Sequence, residues 1–123
     1  MFIIKCAMRS YAMSIGMFVI PFSYLRIRLL RLCGVKIGEG CWIGFNVICD
    51  TNFAELVTIG DNVAISHNTM IITHTMSSVG SYLANIYNKK APVKIEDGEW
   101  IGANCIVLPK VTIGRNCMVG LVL

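Results

Sequence analysis

The sequence predicts an all-β body, a parallel β-helix wound from six-residue units, preceded by an α-helical cap. Three observations predict it. From Val35 the chain divides into hexads: VKIGEG, CWIGFN and VICDTN, then a four-residue insert FAEL, then VTIGDN, VAISHN and TMIITH. After an interruption over residues 75–92 the register resumes as VKIEDG, EWIGAN, CIVLPK, VTIGRN and CMVGLV. The third place is aliphatic or cysteine throughout (Ile37, Ile43, Cys49, Ile59, Ile65, Ile71, Ile95, Ile101, Val107, Ile113, Val119), and glycine often follows it directly, as at Gly38, Gly44 and Gly60. Self-similarity at a fixed period outranks local propensity as evidence for a fold.

A six-residue unit is one short strand and one sharp corner. Its third residue points inward, and a small or β-branched residue four places on fills the next corner. Asn, Gly and Asp near the hexad ends suit tight turns, because they tolerate positive φ and bond locally to the backbone. Three hexads close one triangular coil, so residues about eighteen apart stack through parallel-sheet hydrogen bonds, where β-branched side chains are favoured. An α-helical reading of this region fails. The aliphatics do not follow a 3.6-residue period, and glycine every six residues would be costly in a helix.

Residues 1–34 read differently. Leu25, Leu29, Leu30 and Leu32 interleave with Arg26, Arg28 and Arg31 in a pattern that suits an amphipathic helix ending near Gly34. The stretch around Ala12–Ile20 is also expected to be helical, with Pro21 as a break. The segment is either a helical cap closing the open end of the coil or a basic amphipathic segment resting on an anionic membrane. The nearly uncharged apolar run from Ser10 to Leu25 is shorter than the roughly 20 residues a spanning helix needs, and no small-residue cleavage site follows it.

Bulk properties narrow the function. A chain of 123 residues holds one core, divided here into a helical segment 1–34 and a β-helix domain 35–123. The mean hydropathy of +0.66 fits a body that buries every second or third residue. The net charge of +4 is unevenly placed: residues 1–36 carry six bases and no acid, and all seven acids lie beyond them. No aromatic-interleaved basic stripe follows, so nucleic acid is a poor partner. Cys6, Cys33, Cys41, Cys49, Cys105 and Cys117 form no C-x-x-C pair, and most fall at buried repeat positions. They read as reduced packing residues in a reducing, cytoplasmic compartment.

The run VTIGDNVAISHNTMIITH, a loop, and then PVKIEDGEWIGANCIVLPKVTIG resemble the hexapeptide-repeat acyltransferases, closest to the maltose/galactoside and polysaccharide O-acetyltransferase branch. The resemblance covers about residues 35–120. It implies a left-handed β-helix, an exception to the usual right-handed crossover. It also implies a homotrimer, acetyl-CoA held in clefts between subunits, and acetyl transfer to a hydroxyl of a small or lipid-linked sugar. N-acyl transfer to an amino-sugar is a near alternative. No metal is needed: the related three-histidine metal sites cannot be assembled from His67 and His74 alone.

His74 ends the hexad TMIITH where the resembling enzymes carry their catalytic histidine. An imidazole suits the chemistry, since it can take the proton of an attacking hydroxyl and return it to the leaving thiolate. A structural histidine at a loop mouth is the plain alternative. The acid that often follows in the family is absent here (Thr75, Met76, Ser77, Ser78), which leaves the ring's orientation open. His67 reads as a surface or subunit-contact residue. The resemblance assigns Trp100, Gly102 and Ala103 to the cofactor groove, with Trp100 facing outward and able to fill a subunit contact as well. Asp50 and Asn46 fall where acceptor-hydroxyl contacts cluster, although both types also suit corners.

The 75–92 segment breaks the inward pattern at Ser77, Leu83 and Lys89, and beside the expected base it is the place for acceptor specificity. Lys89 and Lys90 would there meet phosphates or acidic sugars, or remain solvated. Two departures from the family stand out. Lys110 occupies the glycine of the usual P-G-V corner, and Leu121 stands where a small residue normally admits CoA, followed by an early end. These departures support a rival expectation: a non-catalytic β-helix that serves as a scaffold or partner subunit.

Overall fold

The computed structural model describes residues 1–120. Two helices, α1 (Phe2–Val19) and α2 (Ser23–Leu32), precede a coil of short strands. The first face holds β1 (Lys36–Ile37), β4 (Val57–Ile59), β9 (Val93–Ile95) and β12 (Thr112–Ile113), stacked in parallel in that order. On the second face β2 (Trp42–Ile43), β5 (Ala64–Ile65), β10 (Trp100–Ile101) and β13 (Met118–Val119) stack likewise. The third face holds β3 (Ile48–Cys49), β6 (Met70–Ile71) and β11 (Ile106–Val107). The predicted hexads therefore become strands in the predicted register, with Ile37 over Ile59, Ile43 over Ile65 and Cys49 over Ile71.

The core is the predicted ladder of third-place residues. Ile43, Cys49, Ile65 and Ile101 are fully enclosed, as are the first-place residues Val47, Val57 and Val93 that fill the corners. Glu99 breaks this rule by placing a carboxylate at a buried first place. One of its oxygens accepts the Cys117 amide, and the other has no partner. Corner geometry follows the hexad with equal regularity. The sixth-place residues Gly40, Asn46, Asn62, Asn68, Gly98, Asn104, Lys110 and Asn116 all adopt φ between 54° and 74°. Among the described residues, only Asn52 and His74 hold a sixth place without that left-handed turn. Fourth-place glycine has a separate cause: a Cβ on Gly44 would lie 2.8 Å from the His67 backbone nitrogen in the next coil.

The helical segment closes the first coil, and it does so with its arginines. In a parallel stack the carbonyl of Ile59 accepts from Gly38, and that of Ile65 accepts from Gly44. The equivalent carbonyls of Ile37 and Ile43 have no preceding coil to serve them. Arg31 donates to Ile37 and Gly38, and Arg26 donates twice to Ile43 at 2.9 and 2.7 Å. The Ile43 amide finds the Ser23 hydroxyl at 2.8 Å. An exposed sheet edge is thus paired by side chains. This corrects the simple amphipathic reading of α2: Arg26 is buried, burial pulls its guanidinium below the ordinary value, and Leu32 is exposed. The helix reaches further back than the Ala12–Ile20 stretch suggested. By length and composition alone α1, of 18 residues, is long and apolar enough to cross a membrane. Its Arg9, Met13 and Met17 face is nevertheless packed on the coil.

Candidate active site

The interruption after TMIITH leaves the coil as a small excursion. Its outgoing strand β7 (His74–Thr75) pairs antiparallel with the returning β8 (Lys89–Lys90), and one helical turn, α3 (Ala84–Tyr87), lies between them. His74 is the first residue off the coil. One coil below, the FAEL insert makes a short 3₁₀ turn (Ala54–Leu56) anchored by buried Ala54. The site lies where these two irregularities meet on the corner between the third and first faces.

Asp50 organises that corner. It occupies the hexad's fourth place, where glycine is usual, and it is buried. Its Oδ1 accepts the amides of Asn52 (2.9 Å) and Phe53 (3.1 Å), an Asx turn that starts the insert. Its Oδ2 accepts the Thr73 amide at 3.0 Å and meets His74 Nδ1 at 2.5 Å. Burial pushes the Asp50 carboxyl up, but the Thr73 and Phe53 amides and His74 outweigh it and hold the group below the ordinary carboxylate value. A carboxylate so placed requires a hydrogen on Nδ1, which leaves the Nε2 lone pair as the basic end of the ring. Asn52 Nδ2 approaches Nε2 at 3.4 Å, and Phe53 packs edge-on to the imidazole with centroids 5.1 Å apart. Lys90 Nζ sits 4.1 Å above the Phe53 ring. A shallow groove of about 200 Å³ between Ile48, Met70 and Ile72 runs up to Asp50 and His74.

The question of what orients His74 has an answer: the acid lies not just after the histidine but 24 residues before it. Both Asp50 oxygens are engaged within the chain, Oδ1 by the Asn52 and Phe53 amides and Oδ2 by the Thr73 amide and His74, and the residue also lines the groove. Asn46 lies elsewhere, at the corner between the second and third faces, with its amide bonded to Asn68 at 3.0 Å and its own N–H donated to Met17. Gly102 and Ala103 belong to that same corner, because the Asn104 amide bonds to His67 and Asn68 bonds to Phe45 there. The Gly102 N–H is used by Val119, and its carbonyl accepts from Thr69 at 2.8 Å. Trp100 faces outward, half exposed, with its indole N–H on Ser66. One chain thus brings Asp50 to His74 but holds Trp100 on the second face, and Asn46, Gly102 and Ala103 at the corner that follows it.

His67 belongs to a surface stack. Its Nδ1 accepts the Phe45 amide at 2.7 Å, its ring stacks on Phe45, Trp42 meets its edge, and Arg26 covers the far side of Phe45 at 4.3 Å. Sequence reasoning missed Asn52, Phe53 and the pairing of Lys90 with His74. A signal for Asn52 existed: it is 22 residues from His74, one coil plus the four-residue insert, so the two share one column. Leu121 lies outside the described residues. Among the described residues no three His, Cys, Asp or Glu side chains gather in a metal-holding arrangement.

Known proteins carry the same pattern. The family described as bacterial transferase hexapeptide (six repeats) matches residues 92–120, and the hexapeptide repeat of succinyl-transferase matches residues 34–72, between them more than half the chain. The chain belongs to the hexapeptide-repeat acetyltransferase family, and its fold is the left-handed parallel β-helix. Within that family it is 37% identical over 90 residues to a galactoside O-acetyltransferase of Lactococcus lactis, covering 70% of this chain and 41% of that protein. The solved maltose O-acetyltransferase of Clostridium difficile superposes with a TM-score of 0.67 at 23% identity, over 98% of this chain and 76% of that one. A hexapeptide-repeat acetyltransferase of Vibrio cholerae complexed with acetyl-CoA superposes with a TM-score of 0.57 at 22% identity, over 95% and 76%. The chain spans about half the length of the curated relatives it matches, or somewhat less.

Proposed function

We propose that this chain acts as a cytoplasmic, CoA-dependent O-acetyltransferase subunit that moves an acetyl group from acetyl-CoA to a hydroxyl of a carbohydrate, with a surface polysaccharide or a small sugar as acceptor. The observation that carries the reading is the Asp50–His74 pair, which holds Nδ1 of a half-buried imidazole on a buried carboxylate at the edge of a groove. In this reading His74 is the general base. As the acceptor oxygen attacks the thioester carbon, Nε2 takes the hydroxyl proton, the new C–O bond forms and the C–S bond breaks. The proton then passes from Nε2 to the departing thiolate. Asp50 holds the productive tautomer and stabilises the charged ring while the proton is on it.

The active unit in this reading is a homotrimer. His74 lies at the corner between the third and first faces, whereas Trp100, Gly102 and Ala103 lie on the second face and the corner after it, so a site that uses both is assembled from two copies. Acetyl-CoA is assigned to the second corner because Gly102 and Ala103 follow the outward Trp100 there, the block to which the family resemblance assigns the cofactor groove. The neighbour solved with acetyl-CoA supports this choice of donor, and the galactoside O-acetyltransferase relative supports a sugar hydroxyl as acceptor. The free cysteines suit a reducing compartment.

The test is release of free thiol from acetyl-CoA in the presence of a panel of sugars, with His74→Ala alongside. The expected result is acceptor-dependent release that falls about 10²–10⁴-fold in the variant, with unchanged circular dichroism. Neither thiol release nor acetyl-CoA binding from the folded wild-type chain would reject the enzyme reading in favour of a non-catalytic scaffold.

A further inference from the structure

The outer face of the helical cap is unusual for a surface that meets water. On α1, Ile3, Ile4, Met8, Tyr11, Ile15 and Phe18 are all exposed, and Leu32 of α2 is 86% exposed. Between the helices runs an apolar groove of about 570 Å³, lined by Phe2, Ile4, Met8, Leu29 and Leu32, with Lys5 among its walls. An exposed apolar area of this extent marks an interaction surface.

Charge identifies what covers it. The first 38 residues contain no acid. Of their six cations, Arg9 is paired with Glu55, and Arg26 and Arg31 are committed to the carbonyls of the first coil. Among the described residues Lys5, Arg28 and Lys36 make no ion pair within 4 Å. Arg28 precedes Leu32 by four residues, so both project from one side of α2. A protein partner meets a polar rim of mixed sign that offers many hydrogen bonds. This face offers long apolar side chains and unpaired cations, which complement lipid tails and anionic headgroups.

We propose that α1 and α2 dock this chain in the plane of an anionic membrane, with the apolar side chains between them inserted and Lys5 and Arg28 on lipid phosphates. The helix lies on the bilayer and does not cross it. The opposite face of α1 holds the coil through buried Met13 and Met17, the Ser10–Thr51 hydroxyl bond at 3.1 Å and the Met17 carbonyl on Asn46. A spanning α1 would have to abandon all of these. The docking is independent of the proposed chemistry, but it sets the site's position. The Phe2 ring is 5.8 Å from Phe53, which also packs against His74, so the imidazole lies one aromatic ring from the docked face.

Co-sedimentation of the full chain with vesicles tests this. Wild type is expected to pellet with vesicles of phosphatidylcholine mixed with phosphatidylglycerol, to bind phosphatidylcholine alone much more weakly, and to be released by salt. Lys5→Glu/Arg28→Glu should weaken binding about tenfold or more. Ile3→Asp/Leu32→Asp should abolish it, with thermal melts unchanged because these side chains project from the fold. Sedimentation velocity without lipid gives the contrary case. Wild type that ignores anionic vesicles, or an Ile3→Asp/Leu32→Asp chain that binds them normally while its oligomer falls apart, would overturn the proposal and make the face a subunit contact.

Discussion

Two corner columns of this coil hold the same hexad place and use it differently. At the corner between the second and third faces, Asn46, Asn68 and Asn104 all take left-handed φ, and their side chains and amides bond from one coil to the next. At the corner between the third and first faces the equivalent residues are Asn52, His74 and Lys110, and the first two leave the left-handed region. The first column spends its side chains on turning the chain. In the second, an insert and an excursion carry the chain around the corner, and the sixth-place side chains become free to face each other. Irregular loops on a rigid scaffold are the usual seat of function, and here the reason is local: a residue relieved of turning is available for chemistry.

The largest expected effect comes from the residue that joins the two irregularities. Asp50→Asn removes the carboxylate that orients His74, while the Asn52, Phe53 and Thr73 amides lose a charged acceptor. In the proposed reaction kcat should fall by about 10²–10⁴-fold. Stability should fall by about 1.5–3 kcal/mol, as expected for a hydrogen-bonded charge of which little is solvent-exposed. The stability difference should also depend on pH with a defined sign. The folded carboxyl is held below its ordinary value, so its contribution is complete above about pH 4, the unfolded value. It is lost as pH falls further, through the lowered folded value. Urea melts of both chains at neutral pH, pH 5 and pH 3 would check this. A gap that stays constant down to pH 3 would contradict an ionised Asp50.

The same substitution in the two columns sharpens the comparison. Asn68→Ala forces a Cβ residue without a polar side chain into φ 62° and breaks the Asn46 bond. It should cost about 1–2 kcal/mol. Asn52→Ala sits at an ordinary φ, and the bonds of Asn52 to Asp50 and Arg9 run through its backbone, so its stability should change by no more than about 0.5 kcal/mol. Its effect should appear instead in kcat or KM, because its amide lies 3.4 Å from His74 Nε2. Equal melting shifts for the two variants would erase the distinction between the columns.

This division explains what was legible in the sequence. The coil was readable because each hexad repeats the same inward residue and corner, and the register of Ile43 on Ile65 on Ile101 follows by counting. His74 was singled out through the family resemblance of its segment. Its partner was not, because the Asp50–His74 contact crosses coils at the one place where the insert shifts the count, and a lone Asp after Cys49 looks like turn chemistry. The burial of Arg26 was hidden for another reason. It answers unpaired carbonyls on the first coil, a demand that exists only once the coil has formed. The separation of Asn46 from His74 likewise needed three-dimensional corners, since both lie near the same stretch of hexads in the chain.

The smallest effect concerns the last member of the second column. Lys110 does turn the chain, at φ 71°, but with a side chain poorly suited to that conformation. Its amide bonds to the Pro92 carbonyl, so the turn is held in place by its neighbours. A non-glycine residue in the left-handed region costs about 1–2 kcal/mol, and glycine's greater freedom in the unfolded chain returns part of any relief. Lys110→Gly should therefore stabilise the protein by up to about 1 kcal/mol, seen as a modest rise in the thermal midpoint. Lys110→Asn should behave similarly, because asparagine serves the other corners. Lys110→Ala would keep the strain and should give no gain. If alanine matched glycine, the benefit would come from removing the cation, and Lys110 would belong with its charged surroundings and not with the regular corners.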